Sequence, residues 1–417
     1  MLLTNRTQGN AASANAWRIG FGRWVVSLII LLAIPALLGA TTWYCSPSGS
    51  DSNPGTSSQP FRTVAAGITA ANPGDTIVLE NGTYPADTPY GGGSTSGYLL
   101  MVGKSGTAGA PITLMAQNQQ MAILDCGNAY NSAQTGCEGY LSLIGAAYWV
   151  FNGLTFANSY GAGVNMNSST PDHDITFEGC LFENIGQHVE SSAYGMDGLY
   201  ANQGSYNLTF NGNTFSNIGR ITAGSTYPFN DHALYLHASN STVINNVFSG
   251  FIAGWGVQTA IGFSGLIANN TFAFTSANDG GQVMLWDVAS GAISLENNIF
   301  YNPPSGFAVN TCALSASSCT LNTNLVYNGT MSPSESCGGS TVTCSVSNAI
   351  SANPNFVNAT NNFQLQAGSP AIDSGMTIPA VTTDINGLAR PQGPAYCIGA
   401  SEYPVAQPPV VAASPKK

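Results

Sequence analysis

Three ionisable side chains near the middle of the chain are candidates for acid–base chemistry. Asp197 is followed by the sequence Gly-Leu-Tyr and His232 by the sequence Ala-Leu-Tyr, and Asp231 lies next to His232. Carboxyl and imidazole groups can transfer protons to or from a sugar. Hydrolysis of a glycosidic bond needs two carboxyl groups, whereas elimination from a uronate needs a base and a group that stabilises the resulting anion. We therefore predict that these three residues are catalytic.

Flat and polar side chains lie at matching places in the same segments. Gly-Leu-Tyr200, Ala-Leu-Tyr235 and Gly-Val-Gln258 align without gaps, and a fourth segment, Gly281-Gln-Val-Met-Leu285, aligns with an offset. In strands whose side chains alternate, Tyr200, Tyr235 and Gln258 would point to the same side. Aromatic faces suit sugar rings, and hydroxyl or amide groups suit sugar hydroxyls. The predicted substrate-binding residues are Tyr200, Tyr235, His237, Trp255, Gln258 and the nearby basic residue Arg220.

A structural role is the alternative for the same residues. Aspartate at the start of a strand commonly accepts hydrogen bonds from its own backbone, so Asp197 and Asp231 would then hold turns. Tyrosines at equivalent places in successive repeats also form purely structural ladders. The turn-forming hypothesis is stronger still for four other aspartates, where weak Ca²⁺ binding is the minority hypothesis and no metal site is assigned. They are Asp51, Asp75, Asp373 and Asp384.

A repeated motif sets the spacing of these segments. It ends in an aromatic residue after a turn rich in asparagine or glycine, and successive aromatics lie 24 to 33 residues apart. Repeats of roughly 20 to 50 residues are typical of solenoids. The Gly, Asn and Thr content excludes helical repeats, so the motif predicts an all-β, right-handed parallel β-helix. The aromatics are Phe156, Phe182, Phe215, Phe248, Phe272, Phe300 and Tyr327.

Local patterns at the turns and at the start of the repeat agree with this fold. Asparagine tolerates left-handed backbone and can hydrogen-bond to the asparagine of the next coil, which predicts a ladder. A solenoid also needs a cover for its open first coil. Residues 63–71 predict a short amphipathic helix for that purpose, and residues 76–79 predict the first strand. The ladder residues are Asn213, Asn246, Asn270 and Asn298.

Composition limits the partners. The chain has 417 residues, 44% of them hydrophobic and only 7% charged, with a net charge of -11. Affinity for a phosphate backbone rests on clustered Lys and Arg, so nucleic acid is excluded as a partner. The same charge argues against a strongly anionic polymer. A neutral polysaccharide, or one neutralised by a bound cation, fits better.

The N-terminus predicts export. Basic residues precede the apolar run from Val25 to Ala40, as in a secretory signal, and the run is short for a membrane span. Residues 1–42 are therefore interpreted as a signal peptide or an uncleaved signal anchor, the latter being the only expected contact with a membrane. The β-helix domain is expected over residues 43–403, with a terminal cap from about residue 330. A Pro-rich tail occupies residues 404–417.

Cysteine usage also favours an oxidising compartment, because six cysteines form three closely spaced pairs. Each pair is predicted to staple one loop. Cys180, within an apolar repeat, is predicted to be a buried thiol. The predicted pairs are Cys126 with Cys137, Cys312 with Cys319, and Cys337 with Cys344.

Two stretches of the chain resemble known families. The opening SPSGSDSNPGTSSQPFRTVAAGITAANPGDTIVLENGTY is similar to the start of bacterial pectate-lyase-like β-helix proteins. The closing SPAIDSG, TTDINGLARPQG and IGASEY resemble a choice-of-anchor Q region. That region usually has an acidic residue where this chain has Cys397, and the departure encourages a Cys45–Cys397 disulfide. The pectate-lyase-like resemblance implies a fold shared by polysaccharide lyases, glycoside hydrolases, epimerases and proteins of unknown role, so it does not choose an activity.

The resulting expectation is a secreted or cell-surface monomer that binds polysaccharide on an outward face of its coils and processes it as a lyase or a hydrolase. The alternative is a non-catalytic cell-surface protein that binds glycan or holds a neighbour. A convergent acid–base pair in one groove favours the enzyme. Aromatic residues without such a pair favour the binding protein.

Overall fold

Short strands separated by tight turns wind the chain into stacked coils. The computed structural model describes residues 39–85, 98–127, 137–187, 195–221, 228–276, 281–288 and 291–404. From Ala40 onward these residues belong to one unit. A full coil contributes one strand to each of three parallel sheets, which we number I, II and III by their order along a coil. Every strand of a sheet therefore pairs with the coils before and after it, which confirms the predicted parallel β-helix.

Sheet I has nine strands, and the candidate site lies along it. Its strands are β4 (Tyr98–Val102), β7 (Gly139–Leu143), β10 (Val164–Met166), β13 (Leu199–Ala201), β16 (Leu234–Leu236), β19 (Val257–Thr259), β22 (Val283–Trp286), β25 (Val309–Cys312) and β28 (Ser334–Glu335). Most of these strands are only three or four residues long. Between two of these strands, residues Pro228–Asn230 form a single 3-10 turn.

Sheets II and III complete the coils with eleven and ten strands. Sheet II consists of β1 (Thr42–Cys45), β2 (Thr76–Leu79), β5 (Ile112–Ala116), β8 (Ala147–Asn152), β11 (His173–Glu178), β14 (Tyr206–Asn211), β17 (Ser241–Ile244), β20 (Gly265–Ala268), β23 (Ala292–Glu296), β26 (Ser318–Asn322) and β29 (Ser345–Ser347). Sheet III consists of β3 (Gly82–Pro85), β6 (Ala122–Asp125), β9 (Leu154–Ala157), β12 (Leu181–Ile185), β15 (Thr214–Ile218), β18 (Val247–Ile252), β21 (Thr271–Thr275), β24 (Ile299–Tyr301), β27 (Leu325–Tyr327) and β30 (Ile350–Ser351).

The repeated aromatics form a column inside sheet III. Neighbouring rings are stacked with their centroids 4.6 to 5.1 Å apart, from Phe156 through to Phe300. The spacing matches the distance between neighbouring strands, so each coil adds one ring to the core. The last predicted member is wrong by one residue. Val326 pairs with Phe300, and Tyr327 lies outside the core, stacked on Tyr301.

The turn between sheets II and III contains the asparagine ladder. The amide nitrogen of Asn270 donates to the Oδ1 atom of Asn298 at 3.0 Å and to the carbonyl of Val243 at 2.8 Å. Equivalent bonds run from Asn213 to Asn246 and on to Asn270, and these side chains are fully buried. The ladder is confirmed.

The backbone of that turn differs from expectation in one respect. The left-handed residue is not the ladder asparagine but the one before it, as at Asn245, Asn269 and Asn297. These preceding side chains leave the core and are available to an outer layer of chain. The turn therefore uses two asparagines for two purposes, one facing inward and one facing outward.

The helix α1 (Val64–Ala70) covers the first coil, as predicted. The hydroxyl of Thr63 accepts a hydrogen bond from the backbone N–H of Ala66 and caps its N-terminus. Ile68 is fully buried against the core. The helix thus closes the apolar end that an open coil would expose.

The coils continue to β30, so the predicted start of the terminal cap at about residue 330 falls within the last coils. The antiparallel strands β31 (Phe356–Asn358) and β32 (Asn362–Leu365) begin a segment that packs sideways against the turns. The outward turn asparagines donate to its carbonyls: Asn245 to Thr383, Asn269 to Cys397 and Asn297 to Met376. A buried ion pair between Arg390 and Glu402, 2.7 Å apart, holds this C-terminal segment together.

Two of the predicted disulfides are paired differently. Cys126–Cys137 is as predicted, but the other four cysteines form Cys312–Cys337 and Cys319–Cys344, each spanning 25 residues. That separation is one coil, so each bond joins equivalent places of adjacent coils instead of stapling one loop. Cys45, Cys180 and Cys397 are buried free thiols, so the Cys45–Cys397 disulfide is wrong and the buried Cys180 is confirmed.

Most of the predicted targeting segment and nearly all of the tail lie outside the described residues. In the part of the chain that the structure describes, no helix is long and apolar enough to cross a membrane.

Replacing Asn270 by alanine is expected to lower the free energy of unfolding by about 2 to 5 kcal/mol. The substitution leaves the buried backbone and amide N–H donors of Asn246 without their acceptor, and it removes the amide donor from the Val243 carbonyl and from Asn298 Oδ1. Denaturant unfolding followed by circular dichroism measures the change. The matched control is Asn118→Ala, which removes a single amide–amide bond at the surface. An equal loss in both variants would contradict a stabilising role for the buried ladder.

Candidate functional site

Tyr200, Tyr235 and Gln258 lie at equivalent positions of three successive strands of sheet I. The side chains of Leu199 and Leu234 point to the core, and the two tyrosines are half-buried on the outer side. The alternation that the sequence predicted is therefore present. In the next strand, β22, the residue that pairs with Gln258 is Met284. The segment Gly281–Leu285 is therefore offset by one residue from the alignment of the other three segments.

The rings on this face form a cluster. Tyr200 and Tyr235 meet edge to face with centroids 5.4 Å apart, and His237 lies 4.7 Å from Tyr235. The hydroxyl of Tyr200 donates to Asn202 at 3.2 Å. Burial raises the pKa of Tyr235 to about 12 and lowers the pKa of His237. Both groups are therefore neutral near neutral pH.

Asp231 and Arg220 form an ion pair beneath this face, with 3.3 Å between Nη2 and Oδ1 and no exposure of either side chain. Asp231 Oδ1 also accepts a hydrogen bond from the backbone N–H of Met196, and its Oδ2 accepts one from the backbone N–H of Arg220. A buried charge is tolerated only when it is paired and hydrogen-bonded in this way. Both carboxylate oxygens of Asp231 are therefore occupied within the protein.

Asp197 and His232 link the same coils. Asp197 Oδ1 accepts from the backbone N–H of His232 at 2.8 Å, and His232 Nδ1 accepts from the backbone N–H of Trp255 at 3.2 Å. Because Nδ1 is an acceptor, the proton of the neutral ring lies on Nε2. Neither Asp197 Oδ2 nor His232 Nε2 has a hydrogen-bond partner among the described residues. The two side chains are 3% and 2% exposed, which leaves little but not zero access.

Burial governs the charge state of this pair. Desolvation raises the pKa of Asp197 well above its usual value, and nearby Asp231 adds to the effect. Desolvation also lowers the pKa of His232 to about 3. The pair thus combines a carboxyl group that loses its proton at a higher pH than usual with an imidazole that is neutral at neutral pH.

The remaining predicted residues are placed less centrally. Trp255 is 7% exposed and packs with Met284 and Cys312 as a small apolar cluster. Arg220 lies under the surface, so a ligand does not meet its charge directly. It is also the only Lys or Arg between Lys104 and Arg390.

One residue of the row was missed from sequence. Asn165 pairs with Tyr200 on the preceding coil, so the polar row begins one coil earlier than expected. The signal was present, because Gly163-Val-Asn165 has the same form as Gly198-Leu-Tyr200. It was missed because that coil carries no ionisable residue at the position of Asp197.

Histidines and aspartates outside this face have structural partners. His173 belongs to the strand β11 and contacts Asp174 at 2.7 Å, whereas His188 lies outside the described residues. Asp51 and Asp75 accept hydrogen bonds from backbone N–H groups, as the turn-forming hypothesis predicts. Within the described ranges, no group of three or more His, Cys, Asp or Glu side chains converges on a point that would hold a metal ion.

The low pKa of His232 predicts acid sensitivity. Because the unfolded chain binds a proton near pH 6.5 and the folded one near pH 3, stability is full above pH 6.5 and falls as the pH drops. The loss attributable to His232 is on the order of 3 kcal/mol between pH 6.5 and pH 4. His232→Asn, whose Oδ1 can still accept from Trp255, is expected to remove that part of the slope.

Urea unfolding at several pH values measures this difference between wild-type and variant. The difference is the proper measure, because the raised pKa of Asp197 acts in the opposite direction. Asn118→Ala serves as the control, since it removes a surface amide and no ionisable group, and should keep the slope. An unchanged slope in His232→Asn would disprove the burial of a neutral ring.

Comparison with known proteins places this geometry in a family. A family model described as Pel9A-like, right handed beta helix region, matches residues 43–257, a little over half of the chain. Pectate lyase L of Dickeya chrysanthemi is 33% identical over 168 residues, which cover 40% of this chain and 35% of that protein. Pectate lyase PEL9 of Emericella nidulans is 32% identical over 166 residues, 38% of this chain and 37% of that protein. The matches thus span only about a third of the length of these relatives.

Two solved structures align with much of this chain. Pectate lyase Pel9A aligns over 87% of this chain and 96% of its own, with a TM-score of 0.48 and 18% identity. An alginate lyase from Paenibacillus sp. str. FPU-7 aligns over 75% of this chain and 98% of its own, with a TM-score of 0.49 and 16% identity. On the strength of the match over residues 43–257, the chain belongs to the Pel9A-like right-handed β-helix family.

Proposed function

We propose that this protein binds a polysaccharide along the outer side of sheet I and cleaves it. The observation that carries the proposal is the row formed by Tyr200, Tyr235 and Gln258 next to Asp197 and His232. The row offers rings and hydroxyl or amide groups to a sugar chain. The adjacent pair keeps one carboxylate oxygen and one imidazole N–H that no described residue uses. Pectate lyases among its relatives support polysaccharide as the substrate class.

The charges favour a substrate without free carboxylates. The net charge is -11, and the one cation near the face is already paired with Asp231. A dense polyanion would meet no accessible positive charge there and would be repelled at long range. An esterified polyuronate keeps the acidic C5 proton of a uronate but carries no charge. We therefore propose that esterified or otherwise neutral chains are preferred.

The proposed reaction is elimination, because hydrolysis needs two available carboxyl groups and Asp231 has none to offer. Asp197 takes the C5 proton of an esterified uronate, and the C5–H electrons form a C4=C5 double bond. The C4–O bond breaks, and Asp197 returns the proton to the leaving oxygen. The Nε2–H of His232 donates to the ester carbonyl oxygen as negative charge develops there. The raised pKa of Asp197 makes its carboxylate a stronger base than an ordinary carboxylate.

Export is part of the proposal. Three disulfides, two of them linking adjacent coils, fit an oxidising compartment outside the cytoplasm. Residues 1–42 would direct the chain there as a signal peptide or would remain as an anchor. A choice-of-anchor Q role for the C-terminal segment is part of the same proposal.

A non-catalytic glycan-binding or adhesive protein is the second candidate. It is favoured by the burial of Asp197, Asp231 and His232, each of which accepts hydrogen bonds from the backbone of a neighbouring coil. In that case the tyrosine row binds sugar while the polar residues beneath only hold the coils in register. The two candidates differ in whether Asp197 affects turnover.

The full chain is tested on esterified polygalacturonan, polygalacturonate and a neutral xylan, with ultraviolet absorbance for unsaturated products and an assay for new reducing ends. Unsaturated product from the esterified polymer is expected. Asp197→Asn, which can still accept from the N–H of His232, should lower the rate at least about 100-fold and leave binding unchanged. Wild-type activity should rise with pH as Asp197 loses its proton.

Binding is measured separately by affinity electrophoresis. Tyr235→Ala should weaken binding about tenfold or more, since it removes a ring from the row. Tyr206→Ala is the matched control, because it removes an exposed ring from sheet II. Tyrosine-dependent binding without product would favour the non-catalytic candidate. Product formation that survives Asp197→Asn would reject Asp197 as the base.

A further inference from the structure

The outer side of sheet III carries a groove that the proposed function does not use. Its volume is about 580 Å³, within the range of small-molecule clefts. One wall comes from the loop between β31 and β32, at Ala359 and Thr360. The C-terminal segment therefore creates the groove by standing beside the coils. The other wall and the floor come from the strands β18, β21 and β24 and the residues that follow them.

A stack of rings ends at this groove. Tyr301 and Tyr327 are stacked on the outside of sheet III with centroids 5.3 Å apart. Phe272 of β21 pairs with Phe300 of β24 on the next coil. Ala273, which follows Phe272, is therefore level with Tyr301, which follows Phe300. Ala273 carries only a methyl group, and both residues line the groove. The Tyr301 ring also contacts the Phe356 ring at a tilt, with centroids 5.6 Å apart. Toward Ala273 the stack does not continue among the described residues, and Tyr301 lines the groove there.

The floor beyond Ala273 is also made of small residues. Ala273 pairs with Ser249 on the coil before it, and Gly250 follows Ser249 at the edge of the groove. Next to the ring, the groove is therefore bounded by the methyl group of Ala273 and by Gly250, which has no side chain. A pyranose ring laid against an aromatic face needs this combination of a flat wall and a shallow floor.

Polar groups surround the opening in the pattern that sugar hydroxyls require. The Thr275 hydroxyl donates to the carbonyl of Gly250 at 3.1 Å and keeps its acceptor capacity. Asn302 accepts from Asn328 at 2.7 Å, which leaves its amide N–H groups for a ligand. The Thr360 hydroxyl bonds to no described residue. The groove offers both donors and acceptors around one ring face.

None of the described residues that line the groove is charged. A charged ligand would gain no ion pair there and would lose hydration. A purely apolar ligand would leave the hydroxyl and amide groups without partners. A neutral sugar satisfies the ring face and the polar groups together.

We propose that the groove between sheet III and the β31–β32 loop is a second, non-catalytic binding site for one or two sugar units of a neutral glycan, stacked on Tyr301. The site is separate from the row on sheet I, because it lies on a different sheet. It does not depend on the proposed cleavage. Its role would be to hold a chain or a side branch while another part of the glycan lies elsewhere.

The site is tested by isothermal titration of the full chain with cellopentaose, xylopentaose, mannopentaose and β-1,4-galactopentaose. All proteins carry Tyr235→Ala, so that the row on sheet I contributes little. At least one pentasaccharide is expected to bind with a dissociation constant of about 1 mM or tighter. Adding Ala273→Phe extends the ring stack into the groove and should weaken that binding at least tenfold.

Two variants serve as controls. Thr320→Phe adds the same ring on sheet II and should leave binding unchanged. Tyr301→Phe keeps the ring and should also retain binding. All three added substitutions should keep the thermal midpoint of unfolding within about 2 °C of the Tyr235→Ala parent. Any loss of binding then reflects the site and not unfolding of the protein.

Three outcomes would overturn the proposal. They are equal affinity with and without Ala273→Phe, loss of binding in Tyr301→Phe, and failure of all four sugars to bind. None of them bears on cleavage at sheet I, which is measured on protein with Tyr235 intact. Conversely, loss of cleavage in Asp197→Asn leaves this site untouched.

Discussion

The asparagine ladder is the interaction on which the rest of the structure depends. A buried amide is stable only when its donors and acceptors are satisfied, and each rung is satisfied by the rungs above and below. From Asn213 to Asn324, that condition holds only if each coil places an asparagine at the same point, one strand spacing from its neighbour. A coil may lengthen in its loops, but it cannot shift in register at this turn. The stacked phenylalanines and the outward row of sheet I follow from that fixed register.

Side chains also link neighbouring coils by hydrogen bonds at the start of the sheet I strands, where ionisable groups take the place of the amides. Asp231 accepts from the coil before it, Asp197 from the coil after it, and His232 from the coil after its own. These bonds stabilise the stack, and they also fix the charge states that a proton-transfer site would need. Position and chemistry are therefore not independent here. A substitution in this group alters both stability and any reaction, which is why turnover and binding must be measured separately.

The sequence was sufficient for the features that repeat. The motif spacing predicted the parallel β-helix, the ladder and the alignment of Tyr200 with Tyr235, because each depends on local order along one coil. It failed where a contact between coils does not belong to the repeat, or where the partner comes from the far end of the chain. The cysteine pairs were chosen by closeness in sequence, whereas Cys312 meets Cys337 one coil later. The burial of Arg220 and the sideways packing of the C-terminal segment have no local signal at all.

Departures from the repeat are where a solenoid acquires specific surfaces. A column of identical side chains only stabilises its neighbours, but a change of residue type exposes what the previous member would have covered. On sheet I the tyrosines give way to Gln258, and a ring cluster is left beside a polar group. On sheet III the outward ring stack stops at Ala273, and Tyr301 lines a groove there. The fixed register makes these interruptions rigid, so a flat-sided ligand would meet a preformed surface and lose little further freedom on binding.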